Sequence, residues 1–130
     1  EAPANDICGG AITVSCGDDF GSVGATEATD VDAPQGCSES GAGLWYTFEG
    51  DDQTWTITAT PIGWDNELHV YSGDCNNLDC EGSSDNFGTN AELVSVATEI
   101  GTTYYIYVGG WGTSETSIDS FNLSIAFTQV

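Results

Sequence analysis

The sequence contains no lysine and no arginine, whereas 21 of its 130 residues are aspartate or glutamate, which gives a formal net charge of −21 at pH 7. His69 is the only side chain that could carry a positive charge. Nucleic acid and insertion into an anionic membrane are excluded, because lysine and arginine are what neutralise phosphate in such complexes. Mutual repulsion of the carboxylates opposes a compact state. We therefore expect either a solvated acidic surface or at least one bound Ca²⁺.

Methionine is also absent, leucine is scarce, and no hydrophobic run is long enough to form a transmembrane helix. Glycine occurs 17 times, together with many threonines and serines. This composition is typical of short strands joined by turns. The length fits a single domain with an adequate core. We predict one all-β domain over residues 1–130, and the first residues are typical of a mature or excised N-terminus.

Turn residues divide the chain into eight predicted strands. The clearest is 55–60, in which bulky residues alternate with threonines. In segment 64–71, Leu68 and Val70 alternate with polar residues, so we expect one buried face. Residues 27–43 and the acidic stretch 74–85 are predicted loops. The predicted strands are 12–16, 20–26, 44–48, 55–60, 64–71, 93–97, 104–108 and 121–127. Their spacing predicts a jelly-roll-type β-sandwich.

Five cysteines in so small a chain indicate an oxidising, extracellular setting. A zinc site is not expected, because there is one histidine and no Cys-x-x-Cys pair. Cys75 and Cys80 flank a short polar loop and are the expected pair. One further disulfide can form among Cys8, Cys16 and Cys37, with Cys16–Cys37 as the working assignment. The remaining cysteine is then a buried free thiol or is joined to another molecule.

Residues 64–75 resemble the aromatic-Asp-Thr-x-Leu-x-Val-Tyr-x-Gly-x-Cys segment of bacterial pre-peptidase C-terminal domains, with Asn66 in place of the threonine. Residues 5–11, 44–48 and 104–108 resemble other segments of that family, so the likeness covers nearly the whole chain. The resemblance implies a β-sandwich that serves as a non-catalytic accessory domain of a secreted protein.

The same resemblance implies a calcium site. In the related collagen-binding domains of bacterial collagenases, an Asn-Asp pair that matches Asn5 and Asp6 helps to bind Ca²⁺. This ion takes about six to eight oxygen ligands, and the long-loop acids that could complete the site are Glu27, Asp30 and Asp32. A second acidic cluster comprises Asp74, Asp79, Glu81, Asp85 and Asn86, with Asp65 expected nearby. Neither cluster has EF-hand spacing, and solvated loop carboxylates are the alternative for both.

Catalysis is not predicted. His69 lies on the strand face opposite Leu68 and Val70, so it is expected to be exposed, and the chain has no Gly-x-Ser-x-Gly segment. A pair of carboxylates for glycoside hydrolysis is conceivable among so many acids, but nothing in the sequence singles one out.

Three aromatic residues are candidate ligand contacts. Trp111 lies in a predicted glycine-rich loop, where stacking on a sugar or a partner and plain packing are equally reasonable. Tyr105 and Tyr107 alternate within one strand, so both are expected to face outwards and to form a strip that binds glycan or protein.

Two functions follow as hypotheses. The first is a secreted, Ca²⁺-stabilised, non-catalytic module for adhesion or binding of a glycan or protein at the cell surface. The second is a structural protomer that assembles into an extracellular filament or sheath. Assembly would proceed through Ca²⁺ bridges or through strand addition by an extended N-terminal arm, residues 1–8.

Overall fold

The computed structural model describes residues 4–23, 29, 32, 34, 36–37, 40–62, 64–84, 90–111 and 120–128. Two 3₁₀ turns, Ala4–Asp6 and Cys8–Gly10, precede the strands. The strands of this described part are β1 Ile12–Thr13, β2 Asp19–Val23, β3 Ser40–Glu49, β4 Thr54–Pro61, β5 Asn66–Asp74, β6 Asn77–Ser84, β7 Glu92–Ala97, β8 Thr103–Trp111 and β9 Phe121–Thr128. Within the same residues, no helix has the length and apolar character needed to cross a membrane.

The strands form two sheets that face each other. One sheet has five strands in the order β1-β3-β8-β5-β6, and the other has four in the order β2-β9-β4-β7. All neighbours are antiparallel except β1 and β3, which run parallel. Without the two-residue β1, these are the two four-stranded sheets of a jelly roll. The predicted all-β class and jelly-roll sandwich are confirmed.

The main core lies between the sheets, and it follows from the alternation of side chains along each strand. In β4, Trp55, Ile57 and Ala59 point inwards and the intervening threonines point outwards. The Phe48 ring stacks on the Trp55 ring with 4.2 Å between centroids, and it also stacks on Tyr104 at 5.2 Å. The patterns that predicted the central strands are therefore those that fill the core.

A second, smaller core covers the outer face of the five-stranded sheet. We call it the outer cluster, and it consists of Cys8, Trp45, Tyr71 and Tyr107. Because of it, β5 is buried on both faces: Leu68 and Val70 face the main core, whereas His69 and Tyr71 lie on the opposite side, and all four are 0% exposed. The expectation that His69 is an exposed strand residue is wrong.

Strand β6 was not predicted, since residues 74–85 were interpreted as a loop. It is an edge strand in which Leu78 is the only large apolar residue, so no alternating pattern marks it. The flanking predictions also differ at their ends. Strand β3 begins at Ser40, inside the predicted loop 27–43, and β8 continues through two glycines to Trp111.

The disulfides differ from those predicted. Cys8 bonds to Cys75 and Cys37 bonds to Cys80. Cys75 lies in the β5–β6 turn, while Cys80 is opposite Tyr71, four residues back along β5. That offset of four residues places Cys75 and Cys80 about 13 Å apart, which is too far for a disulfide.

Cys16 is the free cysteine. Burial, with added repulsion from the Asp51 and Asp18 carboxylates, raises the pKa of its thiol to about 11. The thiol is therefore neutral and unreactive at physiological pH, which favours the free-thiol interpretation over a bond to another molecule.

The N-terminal segment is not an extended arm over residues 4–8. Asn5 and Asp6 are 4% and 5% exposed. The Asn5 amide donates a hydrogen bond to the Trp45 carbonyl (3.1 Å), and Cys8 is tied to Cys75. Residues 1–3 lie outside the described part. Residues 4–8 are thus fixed against their own sheet and are not available for strand addition to a neighbour.

We expect the Cys37→Ser/Cys80→Ser double variant to lower the free energy of unfolding by about 2–4 kcal/mol, because the bond closes a 43-residue separation. Denaturant unfolding would measure the change, and peptide mapping would verify the pairing. The control is Cys16→Ser, which removes a thiol without removing a bond. A Cys75–Cys80 peptide in the wild-type map would contradict the assignment.

Candidate binding and metal site

The outer cluster is assembled from three neighbouring strands. Trp45 of β3 is opposite Tyr107 of β8, and the two rings have centroids 4.9 Å apart. Tyr71 of β5 completes the cluster at 6.2 Å from Trp45. Gly43 and Gly109 face each other beside these rings, and a Cβ at either would lie 2.6 Å from the Tyr107 ring. The glycines that suggested a loop instead make room for this ring.

Both disulfides hold other segments over this face. One fixes the N-terminal turns to the β5–β6 turn, and the other fixes Cys37 to β6. Between them lies a cleft of about 250 Å³, lined by Cys8, Asp32, Pro34, Gly36, Trp45, Cys75, Asn76 and Leu78. Small-molecule sites usually measure roughly 300–1,000 Å³. The cleft therefore suits a single side chain or another small polar group.

The predicted aromatic strip is only partly present. Tyr107 lies on the outer face of the five-stranded sheet, but it is 0% exposed and its hydroxyl donates a 2.6 Å hydrogen bond to the Gly41 carbonyl. The expectation that it is an accessible ligand contact is wrong. Tyr105 is half-buried and meets Trp45 edge-on at 6.3 Å. Trp111 ends β8 opposite Ser40 and is not in a loop. Of the two tyrosines, Tyr105 is the one that the structure places at a partly accessible position.

Tyr71 is held neutral at this site. Burial raises the pKa of its phenol to about 12, the Cys37 backbone N–H that it accepts at 3.4 Å lowers the pKa, and the nearby Glu67 raises it. Burial likewise raises the pKa of Tyr46 to about 12, with the Asn5 side chain opposing the shift. Neither phenol can act as a base near neutral pH.

Two carboxylates of the first predicted calcium cluster bind nearby segments. Asp6 accepts hydrogen bonds from the backbone N–H (2.6 Å) and hydroxyl (2.5 Å) of Thr29. Asp32 accepts one from the Cys8 backbone N–H at 2.6 Å. Asp6 and Asp32 therefore tie the N-terminal turns to the segment that follows β2. The other two predicted ligands, Glu27 and Asp30, lie outside the described residues.

The second predicted cluster is dispersed along the β5–β6 hairpin. Asp74 accepts a hydrogen bond from the Asn76 N–H in the turn, and Glu81 accepts one from the Ser72 hydroxyl. Asp79 is exposed on β6 opposite Ser72. Asp65 precedes the other end of β5, about 30 Å from Asp74 at the usual strand rise, so it does not lie near Asp74. Asp85 and Asn86 lie outside the described residues.

In the part of the chain that the structure describes, no three histidine, cysteine, aspartate or glutamate side chains form a group able to hold a metal. Calcium binding at Asn5, Asp6 and Asp32, or at Asp74 and Asp79, therefore stays a prediction.

The contact between His69 and Glu67 was not foreseen. The His69 Nε2 atom lies 3.0 Å from Glu67 Oε1, and the side chains are 0% and 3% exposed. A buried pair of this kind has no open path to substrate. The sequence contained a signal for this contact, because residues 67 and 69 share a strand face with the aromatic Tyr71. That face was interpreted as solvent-exposed.

Asp65 lies beside this pair. Burial raises the pKa of Asp65, and the nearby Glu67 carboxylate raises it further by a smaller amount. Its buried Oδ1 accepts no hydrogen bond within the described part of the chain. The ionised form of Asp65 is therefore disfavoured in the folded protein.

The fold and the outer cluster define a disulfide-braced jelly-roll sandwich. No family model and no curated protein matches the sequence. Among solved structures, the chain is similar to the pre-peptidase C-terminal domain of a collagenase from Bacillus anthracis, with a TM-score of 0.56. The match covers 88% of this chain and 93% of that domain at 14% sequence identity. The resemblance seen in the sequence motifs is thus confirmed at the level of the fold.

We expect Asp65→Asn to stabilise the protein at pH 7, raising Tm by about 1–3 °C. A raised folded pKa means that ionisation costs stability, so the gain should be full above that pKa and should disappear as pH falls towards the unfolded value, about 3.9. Thermal unfolding at several pH values measures it. Asp19→Asn, an exposed acid on β2, controls for net charge. An equal gain in both variants would show that Asp65 has no special environment.

Proposed function

We propose that this chain is a secreted, non-catalytic binding module whose N-terminal turns hold Ca²⁺, and that it acts in adhesion or recognition at a cell surface. The observation that carries the proposal is the pair of carboxylates, Asp6 and Asp32, that join these turns to residues 29–32. The shared fold with a collagenase accessory domain supports the same class of function.

Several features favour binding over catalysis. The only histidine is buried against Glu67, the buried phenols of Tyr46 and Tyr71 are neutral, and the cleft is small. An enzyme needs titratable groups that reach the substrate, whereas a binding module needs a rigid surface. Two disulfides next to the outer cluster provide that rigidity. They also fit the oxidising conditions outside the cell.

Calcium is favoured by the way the charge of Asp6 is balanced. Asp6 is 5% exposed and both its oxygens accept hydrogen bonds from Thr29. Each carboxylate oxygen can accept more than one bond, so these contacts orient the group and leave it able to bind a cation. Because the chain has no lysine or arginine, a divalent ion is the available partner for such a buried charge.

The ligand surface that we propose is the accessible rim of the outer cluster, at Tyr105, together with Trp111 at the end of β8. Tyrosine and tryptophan present a large apolar area with a polar atom, which suits glycans and protein surfaces. Tyr107 supports this surface from beneath and does not contact the ligand.

We expect Tm to be higher in millimolar Ca²⁺ than in chelator at matched ionic strength, because an ion that binds only the folded state stabilises that state. Asp6→Asn and Asp32→Asn should lose this increment, and Asp19→Asn should keep it. Asp6→Asn should also be less stable in chelator by about 1–3 kcal/mol, because its bonds to Thr29 weaken. Thermal and denaturant unfolding measure both effects.

The increment in Tm and the stability in chelator separate two roles of Asp6. If Asp6→Asn is destabilised in chelator yet keeps the full Ca²⁺ increment, Asp6 is purely structural and the calcium proposal is wrong at this site. A wild-type Tm that does not respond to Ca²⁺ would overturn the proposal altogether.

A further inference from the structure

The four sheet edges of this fold differ in how they are protected. Natural sheets block edge pairing with short strands, irregularities and charges. Strand β1 has two residues, and β2 has a register shift and the exposed Asp19. Strand β6 exposes Asp79 and Glu81. Strand β7 has none of these features.

The single acid of β7 is turned inwards. Glu92 is 0% exposed and accepts a 2.6 Å hydrogen bond from the Ser84 hydroxyl. The outward side chains of β7 are Leu93, Ser95 and Ala97, all exposed and uncharged, with Leu93 54% exposed. This edge is therefore neutral and partly apolar in a protein with a net charge of −21.

The direction of the backbone groups follows from one hydrogen bond. The Thr98 N–H donates to the Gln53 carbonyl on the β4 side, at 3.0 Å. Groups alternate along an antiparallel ladder, so the even-numbered residues of β7 bond to β4 and the odd-numbered ones point away from β4. The Leu93 N–H contacts the Ser84 hydroxyl at 3.4 Å. For Ser95 and Ala97, no backbone partner occurs on that side among the described residues.

We propose that β7 pairs antiparallel with β7 of a second copy of this chain, about a two-fold axis at Ser95. Ser95 would face its own counterpart, and Leu93 would face Ala97 on either side. All three are odd-numbered residues, so the Ser95 pair can exchange two backbone hydrogen bonds. In the flanking pairs the Leu93 N–H would exchange its 3.4 Å contact with the Ser84 hydroxyl for the Ala97 carbonyl of the second copy. Every cross-strand pair is neutral, and the next exposed acid, Glu99, would face Ala91.

The absence of charged side chains facing outwards along β7 is what would let a second copy, with the same net charge of −21, pair at this edge. Like charges placed opposite each other across strands are destabilising, and the β6 edge would bring Asp79 and Glu81 of two copies together. Pairing through β7 instead joins two uncharged surfaces. The outward described side chains of β4, β7 and β9 are all uncharged: Thr54, Thr56, Thr58, Thr60, Leu93, Ser95, Ala97, Asn122, Ser124 and Ala126.

The contact is isologous and closes with two copies. It therefore yields a dimer, and it differs from the filament hypothesis, which needs a contact that repeats without closing. It does not depend on the proposed binding function. Because each copy carries −21, we expect dimers to be favoured at high ionic strength, where the screening length falls to about 3 Å at 1 M salt.

Analytical ultracentrifugation of the full chain in low and high NaCl tests the proposal, with the expected result a monomer that becomes a dimer as salt rises. Ser95→Pro should abolish the dimer, since it removes an edge N–H while leaving the bonds to β4 intact. Ser95→Ala, which keeps the N–H, should still dimerise. A wild-type chain that stays monomeric at every salt concentration would overturn the proposal, as would a Ser95→Pro dimer of wild-type affinity.

A cross-link gives an independent measure of the register. In a Cys16→Ser background, Ser95→Cys should form a covalent dimer on mild oxidation. Opposed hydrogen-bonded residues have Cα atoms about 5.5 Å apart, within the range that a disulfide spans. The matched control Leu93→Cys should cross-link poorly, because its counterpart lies opposite Ala97. Equal cross-linking of both variants would contradict pairing about Ser95.

Discussion

The structure depends on one constraint, which is that its carboxylates have no lysine or arginine to pair with and only one histidine, His69, which meets Glu67. Several buried and half-buried acids instead accept hydrogen bonds from backbone N–H groups, hydroxyls and an indole. Asp32 binds the Cys8 N–H, Glu92 binds the Ser84 hydroxyl, and Asp51 binds the Trp55 indole at 2.8 Å. Each such bond joins segments distant in sequence or fixes a turn. Acid side chains therefore connect segments of this chain through hydrogen bonds from neutral donors, where other proteins can use ion pairs.

These bonds have a limited pH range. The hydrogen bond from the Trp55 indole is the main cause that lowers the pKa of Asp51. Burial raises this pKa, whereas the Gln53 N–H and the Thr98 hydroxyl lower it further. Its stabilising effect is therefore present above the unfolded pKa and is lost as pH falls through the folded one. Asp65 behaves in the opposite way. Mild acid weakens the general repulsion between carboxylates, whereas stronger acid removes the specific hydrogen bonds of groups such as Asp51. Stability should therefore be greatest at a pH between these two ranges.

The sequence predicted the features that depend on local periodicity. Alternating apolar residues identified β4 and the inward face of β5, and turn spacing indicated the jelly roll. What it could not show was anything set by contacts across the chain. The outer face of β5 is buried because Trp45 and Tyr107 on other strands meet Tyr71 there, and Cys8 and Cys75, 67 residues apart, become neighbours only in the fold.

The candidate site was predictable to a similar degree. The resemblance selected Asn5 and Asp6, and both are buried, but the bond from Asn5 to the Trp45 carbonyl is a tertiary contact without a sequence signal. Tyr105 and Tyr107 do share a strand face, as their spacing required. Tyr107 is the buried one because Gly43 and Gly109 have no side chains and leave room for its ring against the sheet.

Net charge links the proposed calcium site to the proposed edge contact, although the two are separate in space. A bound Ca²⁺ reduces the charge of each copy by two and so weakens the repulsion between copies. That effect is general, and monovalent salt reproduces it through screening. A dimer that forms in NaCl without Ca²⁺ would therefore reflect the neutral edge itself. One that needs Ca²⁺ at matched ionic strength would instead depend on the charge that bound Ca²⁺ removes from each copy, because the uncharged side chains of β7 cannot hold an ion between copies.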